Sequence, residues 1–77
     1  MKNRVTLKEA RGARDWTQAQ LAEASGIPAP HISQIESGTI KHPELRTMNK
    51  LGEALGMVAY LSSGGLFFEE IGDDANA

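Results

Sequence analysis

Seventy-seven residues hold one domain with a modest core, marginal on its own, so oligomerisation would help it. The chain has no cysteine, which excludes disulfides and cysteine-based zinc sites and fits a reducing cytoplasm. No apolar run approaches the roughly 20 residues of a membrane span, and the basic start MKNRVTLKEARGAR lacks the apolar stretch of a signal peptide; a cytoplasmic location is the expectation. The net charge of −2 conceals a segregation: residues 1–50 carry all eight Lys and Arg with five acids, a net +3, and residues 51–77 carry five acids and no base, a net −5. A basic body with an acidic end is compatible with phosphate contact, because local potential matters more than the total.

Thr6 and Glu9 form a T-x-x-E capping box, which starts a first helix over Leu7–Arg14 with Leu7 and Ala10 inward. Gly12 weakens this helix by about 1 kcal/mol relative to Ala. Trp16 precedes a second capping box, Thr17 and Gln20, and is placed as a hydrophobic staple over the junction. The second helix spans Gln18–Ser25, with Leu21 and Ala22 inward. Gly26 supplies a tight turn and Ile27 fills the gap beneath it. A third helix spans Ala29–Ser37, anchored by Ile32 and Ile35, and Gly38 stands where it would end.

Gly38–Pro43 reads as a loop. Pro43 then opens a fourth helix that runs to Leu55, with an apolar stripe of Leu45, Met48, Leu51 and Leu55 and Gly56 as its stop. Beyond Gly56 the period changes. Met57–Leu61 is a β-prone run, Ser62–Gly65 a turn, and Leu66–Phe68 a second apolar run. A lone hairpin cannot stand in water. Two readings of it remain: pairing with the same strand of a second copy, or folding back on its own helix bundle with dimerisation elsewhere. Residues 1–56 are thus expected to be a helix-turn-helix domain, 57–71 a β-strand or hairpin that serves dimerisation, and 72–77 a disordered tail.

Two short helices joined by a tight turn, the second partly polar on its outer face, make a helix-turn-helix whose second helix enters the DNA major groove. Thr17-Gln18, Leu21-Ala22, Gly26-Ile27, Ile32-Ser33-Gln34-Ile35-Glu36 and Gly38 resemble the Cro/lambda-repressor-like (XRE) family, over about Val5 to Gly56. The resemblance implies a mainly α fold: a four- to five-helix lambda-repressor-like DNA-binding bundle with a short C-terminal β-strand or hairpin. The β segment resembles the HipB-type members, in which a strand after the fourth helix joins two subunits. Val58, Tyr60, Leu61, Leu66, Phe67 and Phe68 would then serve dimerisation.

With Ile32 and Ile35 facing in, the outward positions of the third helix are Ala29, Pro30, Ser33, Gln34 and Ser37. The Gln34 amide can both donate and accept toward an adenine edge. Ser33 can bond a base or a phosphate, and Ala29 can lie against a thymine methyl. His31 flanks the core or meets a phosphate. Pro28-Ala29-Pro30 departs from the family pattern, which often has a hydroxyl N-cap followed by a long polar residue. Readout then shifts to Gln34, Ser33, the loop and DNA shape. The resemblance places Gln18 on a phosphate, bracing the recognition helix, and runs Thr39, Lys41 and His42 along the DNA backbone. Arg46 and Lys50 extend that track or simply solubilise their helix. Arg11 and Glu36 are expected to pair, as in relatives with these residues, tying helix 1 to the end of helix 3.

Catalysis has no assembled acid–base or nucleophile set behind it. His31 and His42 are the only histidines, their spacing fits no metal motif, and no metal, cofactor or small-molecule ligand is expected. The leading expectation is a transcriptional regulator, a repressor acting as a homodimer on a palindromic stretch of double-stranded DNA. A second is an antitoxin, whose acidic and apolar tail Leu66–Asp74 folds on a toxin protein. A third is a module that keeps the fold without DNA binding, suggested by the Pro28–Pro30 tip.

Overall fold

The computed structural model describes residues 4–71, so the expectation for 72–77 lies outside the described residues. Four helices precede a hairpin: α1 Leu7–Ala13, α2 Gln18–Ser25, α3 Ala29–Ser37, α4 Leu45–Leu55, β1 Met57–Ser62 and β2 Gly65–Glu70. Both capping boxes are formed. Thr6 Oγ1 accepts from the Glu9 amide while Glu9 accepts from that of Thr6, and Thr17 and Gln20 do the same. Each box ties two otherwise unpaired amides and fixes the first residue of its helix. Gly26, Gly38 and Gly56 end α2, α3 and α4 in the left-handed region, where only glycine sits without strain.

Leu7, Ala10, Leu21, Ile27, Ile32, Ile35, Leu51, Leu55 and Phe68 form one buried cluster, with Trp16 and Ile40 packed on its margin. α4 begins at Leu45, two residues later than expected, because Glu44 has extended backbone and serves as its N-cap. Pro43 is buried ahead of it. Leu45 was expected on the core stripe but is 68% exposed, and Thr47 is buried instead. The reason is helical phase. Each step of three residues falls about 60° short of a full turn, so Leu45, two such steps from Leu51, has rotated out of the face that Met48, Leu51 and Leu55 share.

Of the two readings of the hairpin, the structure shows it folded on its own bundle. β1 and β2 run antiparallel with Ser63 and Gly64 as the turn, Tyr60 opposite Phe67 and Ala59 opposite Phe68. Val5 then adds a single antiparallel bridge on the far side of β2, exchanging both backbone hydrogen bonds with Phe68 at 2.9 and 2.8 Å. Phe68, expected among the dimerisation residues, is fully buried in the chain's own core and has no surface to offer a partner. Its ring joins the cluster built by residues of all four helices.

α4 meets β1 at Gly52. A Cβ there would stand 2.7 Å from the backbone oxygen of Met57, a distance that a main-chain atom cannot relieve without moving the strand. Gly52→Ala therefore separates two effects of opposite sign. Helix propensity alone would stabilise by about 1 kcal/mol. Overpacking is expected to win and to destabilise by roughly 1–3 kcal/mol, measured by urea unfolding; a gain in stability would show that α4 and β1 are not in contact.

Candidate nucleic-acid interface

The turn between α2 and α3 is built from local chemistry. Gly26 takes a φ of 80°, Ser25 Oγ accepts from the Ile27 amide at 3.1 Å, and Ile27 is buried beneath the turn. Pro28 is the N-cap of α3 and gives no side-chain cap. Its carbonyl accepts from the His31 and Ile32 amides, and Pro30 has no amide to satisfy. The P-A-P tip is thus good helix-start chemistry.

α3 buries Ile32 and Ile35 and leaves Pro30, Ser33, Gln34 and Ser37 exposed, with Ala29 half-buried. Ala29, Ser33 and Ser37 form one row at i, i+4 spacing, and Pro30 and Gln34 form the next. His31 is half-buried on the flank beside Ile35. The Gln34 side chain has no hydrogen-bond partner among the described residues, so its amide is available to a ligand. Ser37 and Thr39 differ. Ser37 Oγ lies 3.1 Å from the Gln34 carbonyl and 2.9 Å from Thr39 Oγ1, so the two hydroxyls are exposed but hold the end of α3 and the following loop together. The Ile40 amide donates to the Gln34 carbonyl at 3.0 Å, wrapping the chain back and leaving Lys41 and His42 exposed on the same loop.

Behind this face lies a polar knot. Arg11 Nε and Nη2 hold the two carboxylate oxygens of Glu36 at 2.7 and 3.0 Å, and Arg11 Nη1 donates to the Trp16 carbonyl at 2.7 Å. Gln18 Nε2 donates to Glu36 at 3.0 Å. One carboxylate thus fastens the end of α3 to α1 and to the first turn of α2. The pair is largely withdrawn from water, with 16% of the Arg11 side chain and 6% of that of Glu36 exposed. Burial pushes the Glu36 carboxyl up, but the hydrogen bonds from Arg11 and Gln18, with the attraction of Arg11 and Lys8, outweigh it and hold the group below its ordinary range. The bond to Glu36 raises the Arg11 guanidinium in turn, against burial. Gln18, expected on a phosphate, has one amide hydrogen committed to Glu36; the other can still reach outward.

Two further arginines have structural work that sequence reasoning missed. Arg14 donates to the Leu55 carbonyl at 2.8 Å, capping the end of α4, and lies over the Trp16 ring. Arg4 pairs with Glu69 at 3.0 Å and covers the Tyr60 ring. A stacking aromatic at i+2 was the only local sign for Arg14; the partners of Arg4 are too distant in sequence to be legible. Lys8, Lys41, Arg46 and Lys50 have no ion-pair partner among the described residues. Lys41 is exposed on the loop after α3, and Arg46 and Lys50 are exposed on α4.

A family model described as helix-turn-helix matches residues 7–59, the four helices and the first residues of β1. The chain belongs to the helix-turn-helix family. Its kind is that of the XRE DNA-binding regulators, whose partner is double-stranded DNA. No curated protein matches the chain. Among the described residues no helix is long and apolar enough to cross a membrane.

Removing either end of the knot strands a buried charge, so Arg11→Ala and Glu36→Ala should each cost roughly 3 kcal/mol in denaturant unfolding. Losses of only about 0.5 kcal/mol, the range of surface changes, would contradict this. The pH dependence has a definite sign. Because folding lowers the Glu36 pKa, its stabilisation is present above the ordinary carboxyl value of 4.5 and is lost as pH falls through the lower folded value. The stability gap between parent and Glu36→Ala should shrink across that acid range.

Proposed function

We propose that this chain is an autoregulatory transcriptional repressor that works in the cytoplasm as a homodimer on a palindromic operator. The observation that carries the proposal is the exposed double row on α3, with the unpartnered Gln34 amide at its centre, held rigid from behind by the Arg11–Glu36–Gln18 knot. Gln34 reads a base edge, Ser33 bonds a base or a phosphate, and Ala29 and Pro30 give apolar contact at the tip. The N-terminus of α2 with Gln18 takes a phosphate, and Lys41 and His42 follow the backbone. His31 borders this surface, and Ser37 and Thr39 shape the loop. Two copies place their α3 helices in successive major grooves about 34 Å apart, and occupancy of the promoter excludes polymerase.

The antitoxin alternative rests on a tail that folds on a toxin protein. Residues Leu66–Glu70 of that tail form β2, which leaves Ile71, 59% exposed, and the acidic residues after it to carry that role. A toxin gene beside this one would favour it.

The test is titration of the purified protein into its own upstream DNA, with excess unrelated competitor, at two salt concentrations. The repressor reading predicts binding that survives competitor, weakens steeply with salt and footprints as a palindrome. Binding abolished by competitor would contradict it. Within that assay, Gln34→Ala should cost roughly 1–3 kcal/mol on the specific site and little on unrelated DNA. Lys41→Ala should weaken both and reduce the slope of log K against log salt by about 1.

A further inference from the structure

Two copies can share a hairpin sheet by its edges or by its faces, and here each edge is occupied over part of its length. Phe68 gives both backbone groups to Val5, which closes the outer edge of β2 at its middle. It also fixes the phase of the ladder. Because Phe68 turns away from β1, its opposite residue Ala59 turns away from β2, and in an antiparallel pair such residues alternate. Met57, Ala59 and Leu61 therefore aim their amides and carbonyls at the free edge of β1. That edge is where α4 lies: Gly52 sits against the Met57 oxygen and the Ala59 nitrogen. Only Leu61, next to the turn, is left clear, too short a stretch for a new ladder.

Among the described residues the outer face of the sheet is only partly covered. Side chains alternate along a strand, so the face opposite Phe68 carries Val58, Tyr60, Phe67 and Glu69. Val58 is 42% and Tyr60 38% exposed. Leu61 and Leu66 belong to the other face, at the turn. Arg4 stands over Tyr60 and reaches Glu69, so the apolar centre is flanked by one guanidinium and one carboxylate. The two described charges on this face, Arg4 and Glu69, cancel and so attract neither DNA nor an anionic membrane. The face suits a second copy of itself: across a two-fold axis the apolar centres meet, and the Arg4 of each copy faces the Glu69 of the other. We propose that the chain dimerises face to face through Val58, Tyr60 and Phe67 rather than by strand addition. The proposal rests on the dimeric-repressor reading and specifies its interface.

Sedimentation velocity of the full chain tests it, with Val58→Glu as the variant. A half-exposed position tolerates the change without opening the core, and an unchanged far-ultraviolet circular dichroism spectrum checks this, since weaker association alone shifts a thermal midpoint. As a second probe, Val58→Cys introduces the chain's only thiol, beside the proposed axis. The interface predicts a dimer for the parent, at least tenfold weaker association for Val58→Glu, disulfide-linked dimers for Val58→Cys under mild oxidation, and fast exchange of the Leu61 amide in the dimer. A full-strength Val58→Glu dimer, or a slowly exchanging Leu61 amide, would overturn the face-to-face interface and leave the repressor reading standing. A parent chain that is monomeric both alone and on its operator would overturn both.

Discussion

A carboxylate taken out of water must be matched atom for atom, and that requirement organises this molecule. Glu36 stands at the end of α3, where it would cost several kcal/mol unpaired. Arg11 reaches it from α1 with a two-pronged grip, and Gln18 reaches it from the first residue of α2. The same guanidinium binds the Trp16 carbonyl, which fixes the strand of chain that enters α2. Three helices are thus referenced to one pair of oxygen atoms. Apolar packing of Leu21, Ile32 and Ile35 supplies most of the stabilisation but little direction, since dispersion and hydrophobic burial tolerate small rotations. The ion pair sets the rotation of α3 about its axis, and that rotation decides which side chains face outward.

Charge is distributed by the same economy. Arg4, Arg11 and Arg14, which look on paper like a basic arm, are each engaged by the fold: one at the hairpin, one in the knot, one at the end of α4. Arginine suits these posts because its planar fork binds two oxygens or an oxygen and a ring at once. Lys8, Lys41 and Lys50, compact and strongly hydrated, stand exposed, as does Arg46. All four lack an ion-pair partner among the described residues, and four of the ten acids follow α4.

The boundaries of α2 and α3 were legible because they are fixed by local chemistry, a capping box at one end and left-handed glycines at the others. The Arg11–Glu36 pair was legible only through family resemblance, since nothing within 25 residues of chain announces it. A stripe at three-residue steps drifts around the helix and carries Leu45 off the core face, and Pro43 does not open α4 because the backbone of Glu44 is still extended. The hairpin shows where local reading ends. Alternation of apolar residues finds both strands, but whether Phe68 faces its own core or a partner depends on Val5, more than sixty positions away, and on the absence of a side chain at Gly52. The Ser37–Thr39 contact was missed for a smaller reason: two hydroxyls at i, i+2 meet only when the left-handed Gly38 between them turns the chain.

The central claim is that the knot behind α3 presents one rigid face, centred on Gln34, to DNA. Its most direct test is the backbone amide NMR spectrum of the protein titrated with duplex DNA. The account predicts shifts confined to the start of α2, to Ser33 and Gln34 on α3, and to Thr39–His42, with the amides of the hairpin unmoved at the first equivalents. Shifts centred on the hairpin, or none on α3, would contradict it.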